Sequence, residues 1–481
     1  MPEQILLQGR IAGIRDFLSA RGAQGTRVAG GGEPESFAAA AQWVGLLSEV
    51  VPRALLAELG LPRVLLGSSG GGQFLLVLPG DAGPAAGQLL AEVARHVAEL
   101  TQGVLRPLWS ITENLGDWAA VRRRLNEELE RRRGTPLAGA GGNPFEPLSA
   151  PAAAAGELFS GDTGFREAAS AGWSPEAPAA IRLGGGKHQW SLTPNLSADG
   201  ITVARHVALG EDGKTPAGLQ TLARRAQGRS VWGVLRADVD DFGVRLRRLQ
   251  SIEEHVSLSV LYRNFFAGEL EALCSLPEFW RKVSILYSGG NDFAVYGSWD
   301  ALILLAREIE RVFHRFTEES LKEFPGAEGK TLSMALALAP APQATLAGVF
   351  DEAGRNLDVA KTSGKDSMHL FGRSIEWKRL GDAAEIKDSI GRFASDHRAA
   401  RQLLADLRRF FDRGSRRAEG ETASAWQLER RFSRILSGAR QREFQKLRGQ
   451  LVREMMDRSA PEARLRPAGM VAVEWARLAN D

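Results

Sequence analysis

The sequence lacks the features that mark secreted, membrane-spanning and cysteine-dependent proteins. Cys274 is its single cysteine, so an internal disulfide and a cysteine-based zinc site are both excluded. No run of about 20 apolar residues is present, and residues 1–4 do not begin the basic and then apolar order of a signal peptide. These absences predict a cytoplasmic protein with no membrane partner. A chain of 481 residues is long enough for several domains.

A strong excess of one charge is also missing from the chain as a whole. The formal net charge of +3 is too small to require a nucleic-acid partner. Residues 398–454 depart from this balance, with 15 Lys and Arg against 7 Asp and Glu. A basic segment with helical periodicity could face an RNA or DNA backbone. A solvated helical face with ion pairs one turn apart would explain the composition equally well.

A hairpin with a glycine-rich tip lies in the second half of the sequence. Two apolar runs, residues 283–287 and 293–296, flank Ser-Gly-Gly-Asn-Asp, an order typical of two β-strands joined by a tight turn. Glycine at the tip lets a ligand approach the main chain, and a carboxylate beside it is held by rigid strands. The pattern suits a metal-bound triphosphate. An ordinary hairpin with a polar turn is the alternative, because short motifs are weak without context.

A second glycine hairpin, at residues 69–74, indicates an internal repeat. It aligns with residues 288–293, and in both places a strand and a long helix precede the hairpin while another helix follows it. The later copy has Asn291 and Asp292 where the earlier copy has Gly and Gln. We therefore expect the chemistry in the second copy and a structural, non-catalytic role for the first.

Three acids follow the first strand of the second copy. The apolar run at residues 231–235 leads to Asp238, Asp240 and Asp241, and alternation along a strand puts Asp238 and Asp240 on one face. Acids so close together repel one another unless cations or solvent relieve them. With the hairpin, they predict a site for one or two Mg²⁺ or Mn²⁺ ions, which take oxygen ligands and leave positions open for phosphates. A polar strand end at a turn is the alternative.

Two lysines, Lys361 and Lys365, come at the end of a helix predicted over residues 346–362 and in the turn that follows. An ammonium group at this place could meet the triphosphate. A favourable interaction of the lysine with the C-terminus of the helix explains the position equally well.

The order of predicted elements divides the chain into four domains. Residues 1–133 and 229–376 are each predicted to form a ferredoxin-like palm, the α+β fold of polymerases and nucleotide cyclases. Residues 134–228, rich in Gly, Ala and Pro, are predicted to be a small irregular linker or insert domain with few strands. Residues 377–481 have helical periods without a strand pattern and predict a basic C-terminal α-helical bundle.

With these motifs in place, the sequence resembles a known family, the large palm-domain subunit of type III CRISPR effector complexes, and most closely its Csm-type branch. The matching segments of the first palm are residues 9–17 and 69–74. Those of the second palm are residues 237–243, 288–293 and 360–366. Together they extend over most of the chain, and the basic helical end fits the last domain of the family.

The resemblance implies an RNA-guided antiviral role. Members of the family bind crRNA and target RNA within a multi-subunit ribonucleoprotein that has small and backbone subunits. Their second palm joins ATP into cyclic oligoadenylates, in which a ribose 3′-hydroxyl attacks an α-phosphate. By position, the family's metal ligands would be Asp238, the main chain of Val239, and Asn291. Gly289 and Gly290, which follow Ser288, would border the triphosphate, and Lys365 would contact it. Lys361 remains a candidate from its position at the helix end.

Three departures from the family pattern change these expectations. The family motif is Gly-Gly-Asp-Asp, whereas Asn291 offers a carbonyl oxygen without charge, so metal affinity should fall. Asp292, Asp240 or Asp241 would have to compensate. Many members begin with an HD-type nuclease domain, but the first palm starts at once here and no His-Asp dipeptide occurs, so DNA cleavage is not expected. Many members also carry a cysteine zinc module, which a single cysteine cannot form.

Three functions are consistent with these features. The first is a type III large subunit whose second palm is a nucleotidyltransferase, weakened by Asn291. The second is a catalytically inactive scaffold of the same ribonucleoprotein, which binds crRNA and target RNA. The third is a free-standing nucleotide cyclase, which the arrangement of the first palm and the basic end disfavour.

Overall fold

A computed structural model describes residues 3–23, 33–134, 158–160, 164–193, 200–395, 404–409, 430, 434, 456–457, 464–465 and 467–480. Within these ranges the chain forms a four-stranded sheet, a five-stranded sheet of short strands, a six-stranded sheet, a two-stranded sheet and C-terminal helices. Every helix in the same ranges is too short or too polar to span a bilayer. The predicted α+β class, with two palm domains and a helical C-terminal segment, is confirmed.

The first palm is a four-stranded antiparallel sheet with helices packed on it. Its elements are β1 Gln4–Ala12, α1 Ile14–Ala23, α2 Glu33–Glu58, β2 Leu66–Gly70, β3 Gln73–Pro79, α3 Gly83–Thr101, β4 Arg106–Glu113 and α4 Trp118–Gly134. The strands lie in the order β2-β3-β1-β4, so the first strand of the domain is central and pairs with both the hairpin and the last strand. This is the order that a ferredoxin-like palm requires.

The segment between the palms has more strands than the sequence suggested. Its elements are β5 Phe159–Ser160, β6 Ser170–Trp173, β7 Ile181–Leu183, β8 His188–Thr193, β9 Ile201–Thr202 and α5 Leu219–Arg224. The five strands form one sheet in the order β5-β7-β6-β8-β9. Four of these strands have only two to four residues and carry little or no alternating pattern, which is why composition predicted an irregular segment. Trp43 of α2 donates from Nε1 to the Ala179 carbonyl at 3.0 Å and ties this sheet to the first palm.

The second palm repeats the first and extends it. Its elements are β10 Trp232–Val239, α6 Phe242–Arg248, α7 Ile252–Asn264, α8 Leu270–Cys274, β11 Val283–Ser288, β12 Asp292–Ser298, α9 Trp299–Ser320, β13 Leu332–Leu338, α10 Leu346–Thr362, β14 Ser367–Leu370 and β15 Arg373–Glu376. The strand order is β11-β12-β10-β13-β14-β15. Its first four strands correspond to β2-β3-β1-β4, which supports the internal repeat predicted from the two glycine hairpins.

The described C-terminal elements are mainly helical. They are α11 Trp377–Ser395, β16 Met456–Asp457, β17 Arg464–Leu465 and α12 Pro467–Asn480. Helices α11 and α12 pack together, with Lys387 Nζ 5.3 Å from the centroid of the Trp475 ring. Most of the basic segment at residues 398–454 lies outside the described residues, so its predicted contact with nucleic acid stays a prediction.

The two palms share their hydrophobic cores. Leu6 of β1 and Leu75 of β3 belong to the core that underlies the second palm. Conversely, Leu286 of β11 and Phe350 of α10 belong to the core that underlies the first. Burial on both faces of β1 explains its run of apolar residues, since a strand covered on both sides has no polar face.

Candidate active site

The two acidic segments predicted from the sequence meet at one end of the second palm sheet. Strands β10 and β12 are antiparallel neighbours, and Asp238 near the end of β10 lies opposite Asp292 at the start of β12. The Val239 N–H donates to the Asn291 carbonyl oxygen at 3.0 Å, which holds the hairpin tip against the strand end. Opposite residues in such a pair have Cα atoms about 4.5 to 5.5 Å apart. One ligand can therefore reach both carboxylates.

Asp292 is a buried acid whose ionisation is opposed by its surroundings. Burial, and then the negative charge of Asp238, raise the pKa of Asp292 to about 6, while Arg236 acts in the opposite direction. The Tyr287 hydroxyl donates to Asp292 Oδ2 at 3.1 Å. Arg236 is held over the Phe350 ring, with its guanidinium carbon 4.1 Å from the ring centroid. A cation at this place would favour the ionised form of Asp292.

Lys361, in the last turn of α10, supplies a positive charge beside Asp238. Its Nζ lies 2.6 Å from Asp238 Oδ1, and 30% of each side chain is exposed. Burial raises the pKa of Asp238, and Lys361 is the strongest influence that lowers it. This ammonium and a divalent cation would compete for the same carboxylate oxygen. Lys361 is therefore the one of the two predicted lysines that the fold brings to the acid pair.

The glycines of the hairpin tip have separate steric roles. A Cβ on Gly289 would overlap Asp292 Oδ1, so glycine is needed for that carboxylate to fold back under the turn. The Gly289 N–H donates to the Asp292 carbonyl at 2.7 Å and closes the turn. A Cβ on Gly290 would meet no described atom within 4 Å, which leaves room for a ligand at the main chain. Ser288 Oγ donates to the Phe266 carbonyl at 2.7 Å and anchors the hairpin.

Asp240 lies just beyond β10 but is engaged by other groups. Its carboxylate accepts hydrogen bonds from Thr331 Oγ1 at 2.9 Å and Ser333 Oγ at 2.7 Å. The main-chain N–H of Asp366 donates to it at 3.0 Å. With 2% of the residue exposed and three donors on its oxygens, Asp240 is placed to hold the strand ends together. Its predicted role as a metal ligand stays a prediction.

Asp241 and Lys365 form an ion pair of their own. Lys365 Nζ lies 2.8 Å from both carboxylate oxygens of Asp241, and this bond raises the pKa of Lys365. Both residues have a left-handed backbone, with φ of 55° and 63°, which is unfavourable for residues other than glycine. A contact of Lys365 with a triphosphate, as the resemblance implied, would require this ion pair to open.

The donor atoms at the strand end fit a divalent cation that arrives with phosphates. Among the residues described, no three His, Cys, Asp or Glu side chains come together so that they could hold a metal ion. Asp238 and Asp292 supply two carboxylates, and Asn291, which precedes Asp292 in the chain, carries an amide oxygen. Mg²⁺ is commonly bound through one or two carboxylates plus substrate phosphates, so a cage made of protein atoms alone is not required.

In the first palm, the end of the central strand is bonded to the hairpin tip in the same way, but an arginine takes the place of the acid. The Ile11 N–H donates to the Gly72 carbonyl at 2.8 Å, as its counterpart in the second palm does. Arg10 therefore occupies the position that Asp238 has in the second palm, and Gln73 occupies that of Asp292. Together, an arginine and a neutral amide side chain are poor ligands for a cation. The predicted structural, non-catalytic role of the first palm stays a prediction.

A cavity of about 500 Å³ lies between the palms. Gly290 and Asn291 of the second tip line it, and so do Arg10, Arg122 and Arg247. Arg122 also donates to main-chain carbonyl oxygens at the C-terminal end of α6 and so bridges the two palms. The lining thus contains Asn291, which precedes Asp292 in the chain, and three arginines, of which Arg10 pairs with Glu130 at 2.9 Å. Arginine side chains at such a surface suit a phosphate-bearing ligand.

Sequence reasoning missed Tyr287, Arg236 and Arg10. Tyr287 is inside the hairpin motif, and Arg236 precedes Asp238 by two residues, so the alternation of the strand could have placed Arg236 on the same face. Arg10 required the main-chain register of the first palm, which no sequence pattern reveals.

The comparisons identify the second palm by family. Residues 231–369 match the family model described as Cas10/Cmr2, second palm domain, and this range contains the acidic strand end. A curated relative from Enterococcus italicus, a CRISPR system single-strand-specific deoxyribonuclease Cas10/Csm1 of subtype III-A, is 28% identical over 170 residues. The aligned part is 34% of this chain and 21% of the relative, so the match spans about a fifth of that protein.

Solved structures share the fold over the whole chain. The Csm1–Csm4 subcomplex of the type III-A CRISPR–Csm interference complex matches with a TM-score of 0.72 and 18% identity, covering 100% of this chain and 70% of that one. A Csm1–Csm4 cassette in complex with cA4 matches with a TM-score of 0.70 and 17% identity, at the same coverage. The second palm is therefore a palm domain of the Cas10/Cmr2 type. The chain is related to the large Csm-type subunits of type III CRISPR systems, which confirms the resemblance seen in its sequence.

Proposed function

We propose that the second palm is a nucleotidyltransferase that joins ATP into cyclic oligoadenylates within a type III CRISPR complex. The observation that carries the proposal is the pairing of Asp238 with Asp292 across two strands, beside a glycine tip with open space at Gly290. The relative solved with cA4 supports this class of product, and the relative solved with Csm4 supports a multi-subunit assembly. The further partners would be crRNA, target RNA, and small and backbone subunits.

The nucleotide that is attacked would lie with its triphosphate at the hairpin tip. Asp238, Asp292 and Asn291 would hold Mg²⁺ or Mn²⁺, which neutralises the charge that develops on the phosphates. The main chain at Gly290 allows the phosphates to approach closely. Lys361, released from Asp238 by the cation, would be free to contact a phosphate oxygen.

The second nucleotide would lie in the cavity between the palms, beside the arginines that line it. In each transfer its 3′-oxygen forms a bond to the α-phosphorus of the first nucleotide, and the bond from that phosphorus to the leaving pyrophosphate breaks. The hydroxyl proton leaves to solvent. Arg10, Arg122 and Arg247 would attract the phosphates of the second nucleotide, so the contribution of the protein is mainly positioning and charge compensation.

An inactive scaffold that only binds nucleotide or RNA is the second candidate function. Two observations favour it. Asn291 supplies no negative charge at a position where the family motif has Asp, and Lys361 already compensates the charge of Asp238 at 2.6 Å.

The experiment is a synthesis assay with the assembled complex, ATP, Mn²⁺ and cognate target RNA, with the products separated by chromatography. We expect oligoadenylate from the native chain, loss of product with Asp238→Asn, and an increase of about tenfold or more with Asn291→Asp, because a charged ligand is gained. Asp81→Asn, an exposed acid outside the site, is the control.

The outcomes separate the two functions. Product that survives Asp238→Asn unchanged would contradict a nucleotidyltransferase at this strand end. No product from the native chain, with product from Asn291→Asp, would identify a scaffold whose site has lost activity through a single substitution.

A further inference from the structure

A buried cluster of charged side chains joins the two palms beside their hairpin tips. Glu49 of α2, in the first palm, accepts from Arg53 at 2.6 Å and from Ser69 Oγ of the first hairpin at 2.7 Å. Arg263 of α7, in the second palm, donates from Nη1 to Ser69 Oγ at 3.1 Å, and the same nitrogen lies 3.7 Å from Glu49 Oε2. The side chains of Glu49 and Arg263 are only 8% and 13% exposed, so water screens their attraction little.

Glu49 supplies the negative charge of this cluster. Burial opposes its ionisation, but Arg53, Arg263 and Ser69 hold the pKa of Glu49 below its ordinary value, so the carboxyl is ionised at neutral pH. Among the ion pairs of the described residues, Glu49 is the acid partner of both arginines. A buried charge without a partner destabilises a fold strongly. Loss of Arg263 would still leave Glu49 paired with Arg53, whereas loss of Glu49 would leave two arginines without an acid.

The helix that carries Arg263 also anchors the second hairpin. Directly after α7, residues Phe265–Glu269 form a single turn of π-helix, a feature that is frequent at functional sites. The Phe266 carbonyl in this turn accepts from Ser288 Oγ at 2.7 Å. Ser288 is the residue before the second tip, residues 289–291. One turn of helix therefore connects the contact with the first palm to the anchor of the second tip.

The cluster lies against the point where the two tips touch. A Cβ on Gly70 of the first tip would lie 3.2 Å from Glu49 Oε1 and 4.0 Å from the Gly290 nitrogen of the second tip. A cavity of about 40 Å³ is lined by Glu49, Arg263 and residues of both tips. It has room for water and is far too small for a nucleotide. Neither Glu49 nor Arg263 lines the larger cavity between the palms, so the pair is placed to hold the second tip and not to bind a substrate.

We propose that Glu49 and Arg263 are positioning residues, through which the first palm fixes the hairpin tip of the second. The tip contains Asn291 and leads into Asp292, so its place decides where a cation and its phosphates can lie. A shift of about 1 Å at a reacting centre can slow a reaction by about a hundredfold. The inference rests on the proposed function, and it gives the first palm a part in the reaction of the second.

The first arm of the test measures the tip itself, by hydrogen exchange of the full chain with mass spectrometry. The Gly289 N–H donates to the Asp292 carbonyl at 2.7 Å and should exchange slowly in the native chain. Arg263→Met keeps the length of the side chain and removes the link to the first palm. We expect exchange at the tip to be about tenfold faster, the effect of losing one hydrogen bond from a charged donor.

Two further variants separate the link from general effects of substitution. Both contacts of Arg263 use Nη1 alone, so an ammonium can replace it, and Arg263→Lys should exchange at the tip as the native chain does. Lys282→Met is the matched control, because Lys282 pairs with Asp300 at 3.0 Å at the opposite end of the same hairpin. It should leave exchange at the tip unchanged.

The second arm measures oligoadenylate synthesis by the assembled complex with Mn²⁺ and target RNA. The rate is taken at saturating ATP and divided by the folded fraction, which urea titration gives. Arg263→Met should lower this rate by about tenfold, because the tip is misplaced. Arg263→Lys should restore it, and Lys282→Met should leave it unchanged.

Three results would overturn the proposal. They are native-like exchange at the tip in folded Arg263→Met, an effect of Arg263→Lys as large as that of Arg263→Met, and a lower urea midpoint as the sole change. The last would show that the pair only stabilises the fold. Failure of the proposed function alone would look different. The native complex would then form no oligoadenylate, while exchange at the tip would still be fast in Arg263→Met and slow in Arg263→Lys.

Discussion

Lys361 illustrates how a single residue can have two competing partners. Its ammonium group, 2.6 Å from Asp238 Oδ1, compensates the charge that a divalent cation would compensate. A nucleotide with its bound cation brings a positive charge for Asp238 and phosphates for Lys361. Each member of the ion pair would thus gain a new partner when the pair separates. The lysine would then weaken binding of a bare cation while strengthening binding of a nucleotide.

Lys361→Gln is therefore expected to change two affinities in opposite directions. Mn²⁺ alone should bind about three- to fivefold more tightly, because the competing charge is gone and a partly exposed ion pair is worth up to ~1 kcal/mol. α,β-Methylene ATP should bind more weakly, because a phosphate contact is lost. Both affinities are measured by calorimetry on the full chain, with Lys322→Gln, an exposed lysine outside the site, as the control. A fall in both affinities would show that Lys361 only stabilises the strand end.

His255 gives a prediction for the pH dependence of stability. Burial and Arg122 lower its pKa from 6.5 to about 4. Between these values the unfolded chain binds a proton that the folded chain does not, so the stability is fully present above pH 6.5 and is lost as the pH falls towards 4. The difference corresponds to roughly 3 kcal/mol. The free energy of unfolding is measured by urea titration with EDTA. As the pH falls from 6.5 to 4, it should decrease by about that amount less for His255→Phe than for the native chain. The same pH dependence in both would contradict the lowered pKa of His255.

Contacts that follow from predicted strands and their pairing could be foreseen from the sequence, and contacts that depend on tertiary packing could not. Asp238 and Asp292 stand at the ends of strands that the apolar runs define, so their meeting followed from the hairpin and the duplication. The partner of Lys361 could not be foreseen, because it depends on how α10 crosses the sheet. Glu49 and Arg263 belong to different palms, and no periodicity relates them. Pairing across domains is set by tertiary packing, which leaves no local signal.

At the scale of elements, the two glycine hairpins touch. Gly71 has a φ of 60°, and a Cβ built on it would lie 3.1 Å from the Gly290 nitrogen. The first hairpin is held in place by a buried cluster, in which Glu49 accepts from Arg53 at 2.6 Å and from Ser69 Oγ at 2.7 Å. The first palm, although it lacks acids, thus supports the tip of the second.

Gly71→Ala should displace the second hairpin tip and weaken nucleotide binding. Oligoadenylate synthesis should fall by about tenfold, because small misplacements at a reacting centre slow the reaction strongly. Gly60→Ala is a matched control, since its φ is 65° and its Cβ would meet no described atom within 4 Å. Both substitutions carry a similar backbone cost of about 1 kcal/mol. If the two variants lose activity equally, backbone strain and not the contact with Gly290 is responsible.

Longer elements were easier to predict than short ones. The helix expected over residues 346–362 is α10 Leu346–Thr362, because its apolar spacing is long and regular. The strands β5 and β9 have two residues each and carry no pattern that could distinguish them from a loop. The neighbouring strands β6 and β7 pack against α2. Because this packing is tertiary, only the fold reveals the small sheet.

At the scale of the whole molecule, the palms are joined through their cores. Phe37 of α2 packs edge to face on Phe350 of α10, with ring centroids 5.3 Å apart, and Phe350 in turn lies under the Arg236 guanidinium. Each core cluster contains residues of both palms. Two domains that share their buried surface should unfold together, because neither can lose its structure without exposing part of the other.

Phe37→Ala tests this coupling. Removing a fully buried ring typically costs about 3–5 kcal/mol, so the variant should unfold at a lower urea concentration than the native chain. If the palms form one cooperative unit, hydrogen exchange should become faster by the same free energy in the core strand β10 of the second palm as in β1 of the first. Faster exchange confined to β1 would show instead that the palms open separately. In that case Arg10 and Arg122 could move with the first palm away from the acidic strand end of the second palm. Nucleotide entry would then need no unfolding of the second palm.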